Sequence, residues 1–149
     1  LLAEGRAQLD AVDPADAIAA FDGALALWRG SALADLLDEP FAAVEARREE
    51  RRLLCREERI DAQLALGGAP DVVPELERLV AEHPFRERLL GQLMVALYRS
   101  GRQADALAAY QRGRGQLVAE LGLEPSLPLR QLERQILDHD PVLGASSVA

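Results

Sequence analysis

The sequence predicts an all-α fold, a right-handed stack of antiparallel helix pairs, on three observations. Two stretches superimpose at a spacing of 34 residues: with 53–86 as one unit and 87–120 as the next, Gly67 falls on Gly101, Val72 on Ala106, Leu76 on Tyr110 and Leu79 on Gly113. The composition is helical, with 49% apolar but only 4% aromatic residues, Ala and Leu dominant and no threonine, whereas strands draw on β-branched and aromatic side chains. Apolar residues recur near the helical period between glycine and proline breaks, and no hairpin signal appears.

A helix-turn-helix unit of this length, with Ala-x3-Phe/Tyr in its second helix, is the tetratricopeptide signature. Ala106 and Tyr110 supply that pair here. Each unit holds two amphipathic helices that cannot bury their apolar faces alone, so neighbours stack into a continuous core with a curved groove. Such a groove binds partners and does no chemistry by itself.

The elements follow in order. A short amphipathic segment over 2–9 stops before Asp13-Pro14, where Asp13 suits an N-cap, Pro14 the first helical position and Asp16 the positive end of the dipole. A helix over about 14–29 places Ile18, Phe21, Leu25 and Trp28 on one face, and Gly30 ends it. Its Ala17-x3-Phe21 marks a divergent third unit, offset by 55 residues because 31–44 contains an inserted turn with Ser31 as cap and Pro40 as breaker. A long helix over 41–66 is closed by Gly67-Gly68; Asp71 then caps a helix ending at His83-Pro84, with Pro74 in its first turn. The next pair spans 86–100 and 103–121, separated by Gly101 and terminated by Gly122. A final helix over 127–138, with Ser126 as cap and Pro128 in its first turn, covers the exposed end of the stack. Residues 1–140 thus read as one domain, and 141–149, with little to bury, as a flexible tail or linker.

Charge argues against an autonomous nucleic-acid binder: a formal charge of −8 and a pI near 4.8 oppose phosphate binding by counterion release. The run from Glu45 to Asp61 carries six arginines (Arg47, Arg48, Arg51, Arg52, Arg56 and Arg59) and six acids. Glu45 with Arg48 and Glu49 with Arg52 are i, i+3 neighbours worth only ~0.2–0.5 kcal/mol each, as on a solvated helix face. All 17 basic residues are arginine, so no lysine exists to serve a P-loop, a Schiff base or a kinase site. His83 and His139, at helix ends and 56 residues apart, have no second metal ligand at helical spacing. Cys55 lies mid-helix beside Leu53 and Leu54, where a free cysteine acts as a small apolar residue. No catalytic, cofactor or metal site emerges, and the chain reads as no enzyme. Gly113 and Gly115 sit inside a predicted helix at a cost of ~1 kcal/mol each against alanine. Gly113 fills the small-residue slot of the repeat; Gly115 has no packing reason in the sequence.

No charged leader with an apolar core opens the chain, and no apolar run reaches the ~20 residues needed to cross a bilayer, so a cytoplasmic protein is expected. The start at Leu1, already inside a helical pattern, suggests a segment of a longer protein.

The segment HPFRERLLGQLMVALYRSGRQADALAAYQRGRGQLVAELGLEPSLPLRQLERQIL resembles the bacterial transcriptional activator domain of the actinobacterial antibiotic-regulatory family of transcriptional regulators. ALALWRGSALADL at 24–36, LALGGAPDVVPELERLVAEHP at 64–84 and ELGLEPS at 120–126 extend the likeness over about 2–140. The resemblance implies a tetratricopeptide-like stack that follows a winged-helix DNA-binding domain lying outside this sequence. It implies partners as well: that N-terminal domain of the same protein, a second subunit in a homodimer, and RNA polymerase, with no direct DNA binding by this segment and no membrane. It carries over no catalytic residue and no cofactor. In the tetratricopeptide pattern the first helix of each unit lines the groove, which nominates Glu57, Asp61 and Leu64 in one unit and Arg88, Tyr98 and Arg99 in the next as partner-binding residues. The alternative is a stand-alone tetratricopeptide-type peptide-binding adaptor, which an upstream winged helix would separate from a regulator's module.

Overall fold

The computed structural model describes residues 15, 18–23 and 41–144. Every described element is helical: α1 (Phe41–Ala65), α2 (Ala69–Glu82), α3 (Glu87–Arg99), α4 (Gln103–Leu121), α5 (Leu127–Leu137) and the short α6 (Pro141–Gly144), with a further helical stretch over 18–23. The all-α, tetratricopeptide-like class is the one the chain adopts. Two compact units divide it, Leu1–Leu66 and Gly67–Ala149. The segment over 2–9, the expected caps at Asp13 and Ser31, Pro14 and Asp16 in the first turn, Ala17, Leu25, Trp28, Gly30 and the inserted turn up to Pro40 lie outside the described residues.

In the first unit, Leu53, Glu57, Ile60 and Leu64 recur at helical spacing and form a buried stripe of α1, joined by Cys55 and Ala62. Phe21 is fully buried. Two contacts tie its helical stretch to α1: the Cys55 thiol donates to the Phe21 carbonyl at 3.2 Å, and Arg59 donates from Nε to Asp22 at 2.6 Å. The charged run forms local pairs, Arg48 with Glu45 at 2.7 Å and Arg52 with Glu49 at 3.9 Å. Both are the pairs the spacing predicts.

In the second unit, α3 is the central helix and packs against α2, α4, α5 and α6. The repeat register is visible in three dimensions. Val72 and Ala106, Leu76 and Tyr110, and Leu79 and Gly113 are buried at equivalent positions of α2 and α4. Gly67 and Gly101, which precede those helices, share a left-handed backbone with φ of 84° and 77°. Such φ values are costly for any residue with a Cβ. At Gly101 the amide bonds back to the Tyr98 carbonyl at 3.0 Å and the Arg102 amide to Leu97 at 2.8 Å, so the turn satisfies carbonyls that the end of α3 would otherwise orphan.

Gly113 has the packing role the repeat assigns to it. A Cβ there would overlap the Leu90 side chain of α3, so α3 and α4 approach closely only because the position carries no side chain. Leu129 and Ile136 are the buried residues of α5, which closes the unit over α3 and α4.

Four local details differ from the sequence reading. The helix expected to be capped by Asp71 begins at Ala69, with Gly68 at the cap position and Asp71 in the first turn; there its carboxylate still complements the dipole. Pro74 consequently lies inside the helix, where it removes one backbone hydrogen bond. Ser126 occupies the N-cap of α5 with extended backbone but makes no side-chain cap bond; its own amide donates to Glu87 Oε2 at 2.9 Å. Beyond Asp140 the first four residues form α6 and bury Leu143, because α3 offers them an apolar surface and the Arg99 guanidinium, whose Nε donates to the Leu143 carbonyl at 2.6 Å. Residues 145–149 lie outside the described ones.

Candidate functional site

Helices α2 and α4 flank α3 without closing over it, and the space between them is a groove of about 710 Å³. Glu77, Val80 and Ala81 of α2 form one wall and Leu93 of α3 lies beneath. The other wall is the face of α4 that carries Ala109, Arg112, Gly113, Gly115, Gln116, Ala119 and Glu120. Small side chains make the groove: five of these eleven residues are Ala or Gly, so neither wall fills the space. A Cβ added at Gly115 would meet nothing within 4 Å.

The six residues nominated from the repeat pattern lie elsewhere. Glu57, Asp61 and Leu64 share one face of α1 at i, i+4 and i+7; Glu57 is fully buried, Leu64 is 6% exposed and Asp61 is half-buried. Arg88 is exposed in the first turn of α3. Tyr98 and Arg99 stand together at the far end of the same helix, about 15 Å away at 1.5 Å per residue. The Tyr98 hydroxyl lies 3.3 Å from His139 Nδ1, and the two rings meet edge to face with centroids 6.0 Å apart. Together with the Arg99 bond to Leu143 and a Gln103 side-chain bond to the Ile136 carbonyl at 3.0 Å, this holds the segment from α5 to α6 against the turn between α3 and α4. None of the six lines the groove. The feature that sequence reasoning left unexplained, Gly115, is the one that does.

The titratable groups are arranged for structure. Burial pushes the Cys55 thiol up to about 11, with Asp22 adding to the effect, so the sulfur is a thiol and a donor at neutral pH. Burial likewise raises Tyr110, with Glu133 contributing. Arg114 grips Glu124 through two hydrogen bonds of 2.8 and 2.9 Å, which holds that carboxyl below its ordinary range. Among the described residues no group of three His, Cys, Asp or Glu side chains is placed to hold a metal ion, and no helix is long and apolar enough to cross a membrane.

Residues 1–137 match the family described as bacterial transcriptional activator domain. The chain is 43% identical to the transcriptional regulator RedD of Streptomyces coelicolor over 99% of its own length and 42% of that protein's. It is 47% identical to the regulatory protein DnrI of Streptomyces peucetius over 84% of the chain and 46% of the relative. Among solved structures, EmbR of Mycobacterium tuberculosis in complex with a low affinity phosphopeptide matches with a TM-score of 0.84 and 37% identity, over 99% of this chain and 39% of that one. The chain thus spans less than half the length of the relatives it matches.

Proposed function

Since the chain belongs to the bacterial transcriptional activator domain family, we propose that it is the regulatory, protein-binding module of a DNA-binding transcriptional activator acting in the cytoplasm. In this reading it packs on a winged-helix domain N-terminal to it in the same protein. It also mediates self-association, or contact with RNA polymerase, once that domain is on DNA. The observation that carries the reading is the family match over residues 1–137, alongside longer relatives named as regulatory proteins, of which the match covers 42% and 46%.

Electrostatics support the division of labour. The net charge of −8 repels a phosphate backbone, and the arginines most suggestive of DNA contact are engaged with neighbouring carboxylates: Arg48 with Glu45, Arg52 with Glu49 and Arg59 with Asp22. Base reading then belongs to another domain. Of the six repeat-derived residues, exposed Arg88 is the one we assign to direct partner contact. Glu57, Asp61 and Leu64 shape α1, and Tyr98 and Arg99 hold the C-terminal segment.

The test is a gel-shift comparison of this chain, the full-length protein and its DNA-binding domain on one promoter at physiological salt. The full-length protein is expected to retard the fragment sequence-specifically and the chain alone to leave it free. Sequence-specific retardation by the chain alone overturns the assignment.

A further inference from the structure

The groove between α2 and α4 has features that the packing of this chain does not explain. Gly115 lies in the interior of α4, where glycine is less favourable than alanine, and its neighbour Gly113 is accounted for by the Leu90 side chain. Nothing in the fold occupies the position a Gly115 side chain would take, and Gly115 is one of the residues that line the groove. The rim is equally uncommitted. Arg114 and Glu124 nearby are locked together, whereas the side chains of Glu77, Arg112, Gln116 and Glu120 make no hydrogen bond or ion pair among the described residues.

We propose that this groove docks one amphipathic helix of a partner polypeptide, net basic, about three turns long and running parallel to α4. This rests on the protein-binding reading above and gives the partner its chemistry. The length comes from α4, whose lining residues run from Ala109 to Glu120, about 16 Å at 1.5 Å per residue. The composition of the walls suits a helix, because small residues let another backbone approach while half-buried Val80 and the exposed Ala81 and Ala119 meet its apolar face.

Charge sets the sign and the direction. The lining carries two carboxylates, Glu77 and Glu120, against one guanidinium, Arg112. Arg112, Gln116 and Glu120 follow one another at i, i+4 and i+8 along one edge of α4, so the edge runs from positive to neutral to negative. A parallel partner places an acidic residue beside Arg112 and a basic one, about eight residues later, beside Glu120, the order its own dipole also favours. A second copy of this chain, at −8, meets repulsion at this acidic groove, so any self-association uses another face.

The test uses the 149-residue chain and a fluorescein-labelled, stapled helix of about twelve residues. That probe carries leucines on one face, Glu near its N-terminus and Lys eight residues later; a second probe has the two charges exchanged. Fluorescence anisotropy at low ionic strength is expected to show saturable binding of the first probe, about tenfold tighter than the second. The double variant Arg112→Glu/Glu120→Arg should reverse that preference. Gly115→Leu should weaken binding at least tenfold without lowering the urea midpoint, since the added side chain enters open space.

Several outcomes overturn the proposal: no saturable binding, equal binding of the two probes, or unchanged binding by Gly115→Leu. Concentration-dependent dimerisation that Gly115→Leu abolishes also overturns it, because a second copy is then the occupant. The gel-shift result is independent of all of these, so failure of the probe with no DNA binding by the chain removes the groove assignment and leaves the module reading intact.

Discussion

Gly113 and Gly115 lie two residues apart on α4, and replacing each with alanine should affect stability differently. Both substitutions gain the same helix propensity, about 0.8–1.0 kcal/mol. Both glycines lie within the helix, so neither substitution carries a special backbone cost. The difference is in what the new methyl meets. At Gly115 it meets nothing within 4 Å, so Gly115→Ala should stabilise by about the full propensity gain. At Gly113 it overlaps the Leu90 side chain, and Leu90 is 3% exposed, so it cannot swing into solvent. Overpacking of this kind costs roughly 1–3 kcal/mol, which cancels or outweighs the gain. Subtracting the two variants removes the propensity term and isolates the overlap, so Gly115→Ala should be more stable than Gly113→Ala by about 1–3 kcal/mol. Urea unfolding followed by circular dichroism measures this, with equal slopes required so that midpoints compare directly. Equal stabilisation by both substitutions would refute the close approach of α3 and α4 on which the repeat register rests.

Other expectations follow from the same packing. Tyr110→Ala should destabilise by ~3–5 kcal/mol as a large aromatic truncation in a core, since Tyr110 is 4% exposed; a urea midpoint shift no larger than that of a surface substitution would show it is not a core residue. Because burial raises the Cys55 thiol to about 11, the folded state holds its proton more tightly than the unfolded chain. The stability this gives is complete below the unfolded value near 9 and is lost as pH rises toward 11, so thermal melts of wild type should fall more steeply over that window than those of Cys55→Ala. Parallel curves would contradict the buried thiol. Arg99→Ala should speed amide exchange in the Pro141–Gly144 helix, whose carbonyl contact it removes, while leaving exchange in α4 unchanged. Protection of that segment as in wild type would show that Leu143 alone anchors it.

Helix existence was legible in the sequence because the signals were redundant. Gly67 and Gly101 marked the same turn twice, and apolar residues at helical spacing filled the intervals between them. Boundaries were less legible where two signals competed. Asp71 resembled a cap because Asp is a strong capping residue, yet Pro70 also suits a first turn, and the helix takes the earlier start with Asp71 as a dipole partner. Pro74 then falls inside, a cost that tertiary packing of Val72, Val73 and Leu76 outweighs. Leu143 reads as tail in the sequence because its burial depends on α3, 44 residues earlier, a contact that local pattern does not encode. The groove was legible only in outline. Repeat logic nominates the first helix of each pair but does not say which of its faces is already covered, and Glu57 and Leu64 are covered. The open groove was marked instead by Gly115, a helix-interior glycine without a packing role.

In the proposed function this segment regulates transcription through protein contacts and not through DNA. A promoter-reporter assay in the native host tests it most directly, comparing the full-length regulator with a form lacking residues 1–144 and with one carrying Gly115→Leu at matched expression, together with promoter occupancy. The deleted form is expected to lose activation while its DNA-binding domain still recognises the promoter in vitro, and Gly115→Leu to keep occupancy but reduce activation. Full activation by the deleted form would contradict it.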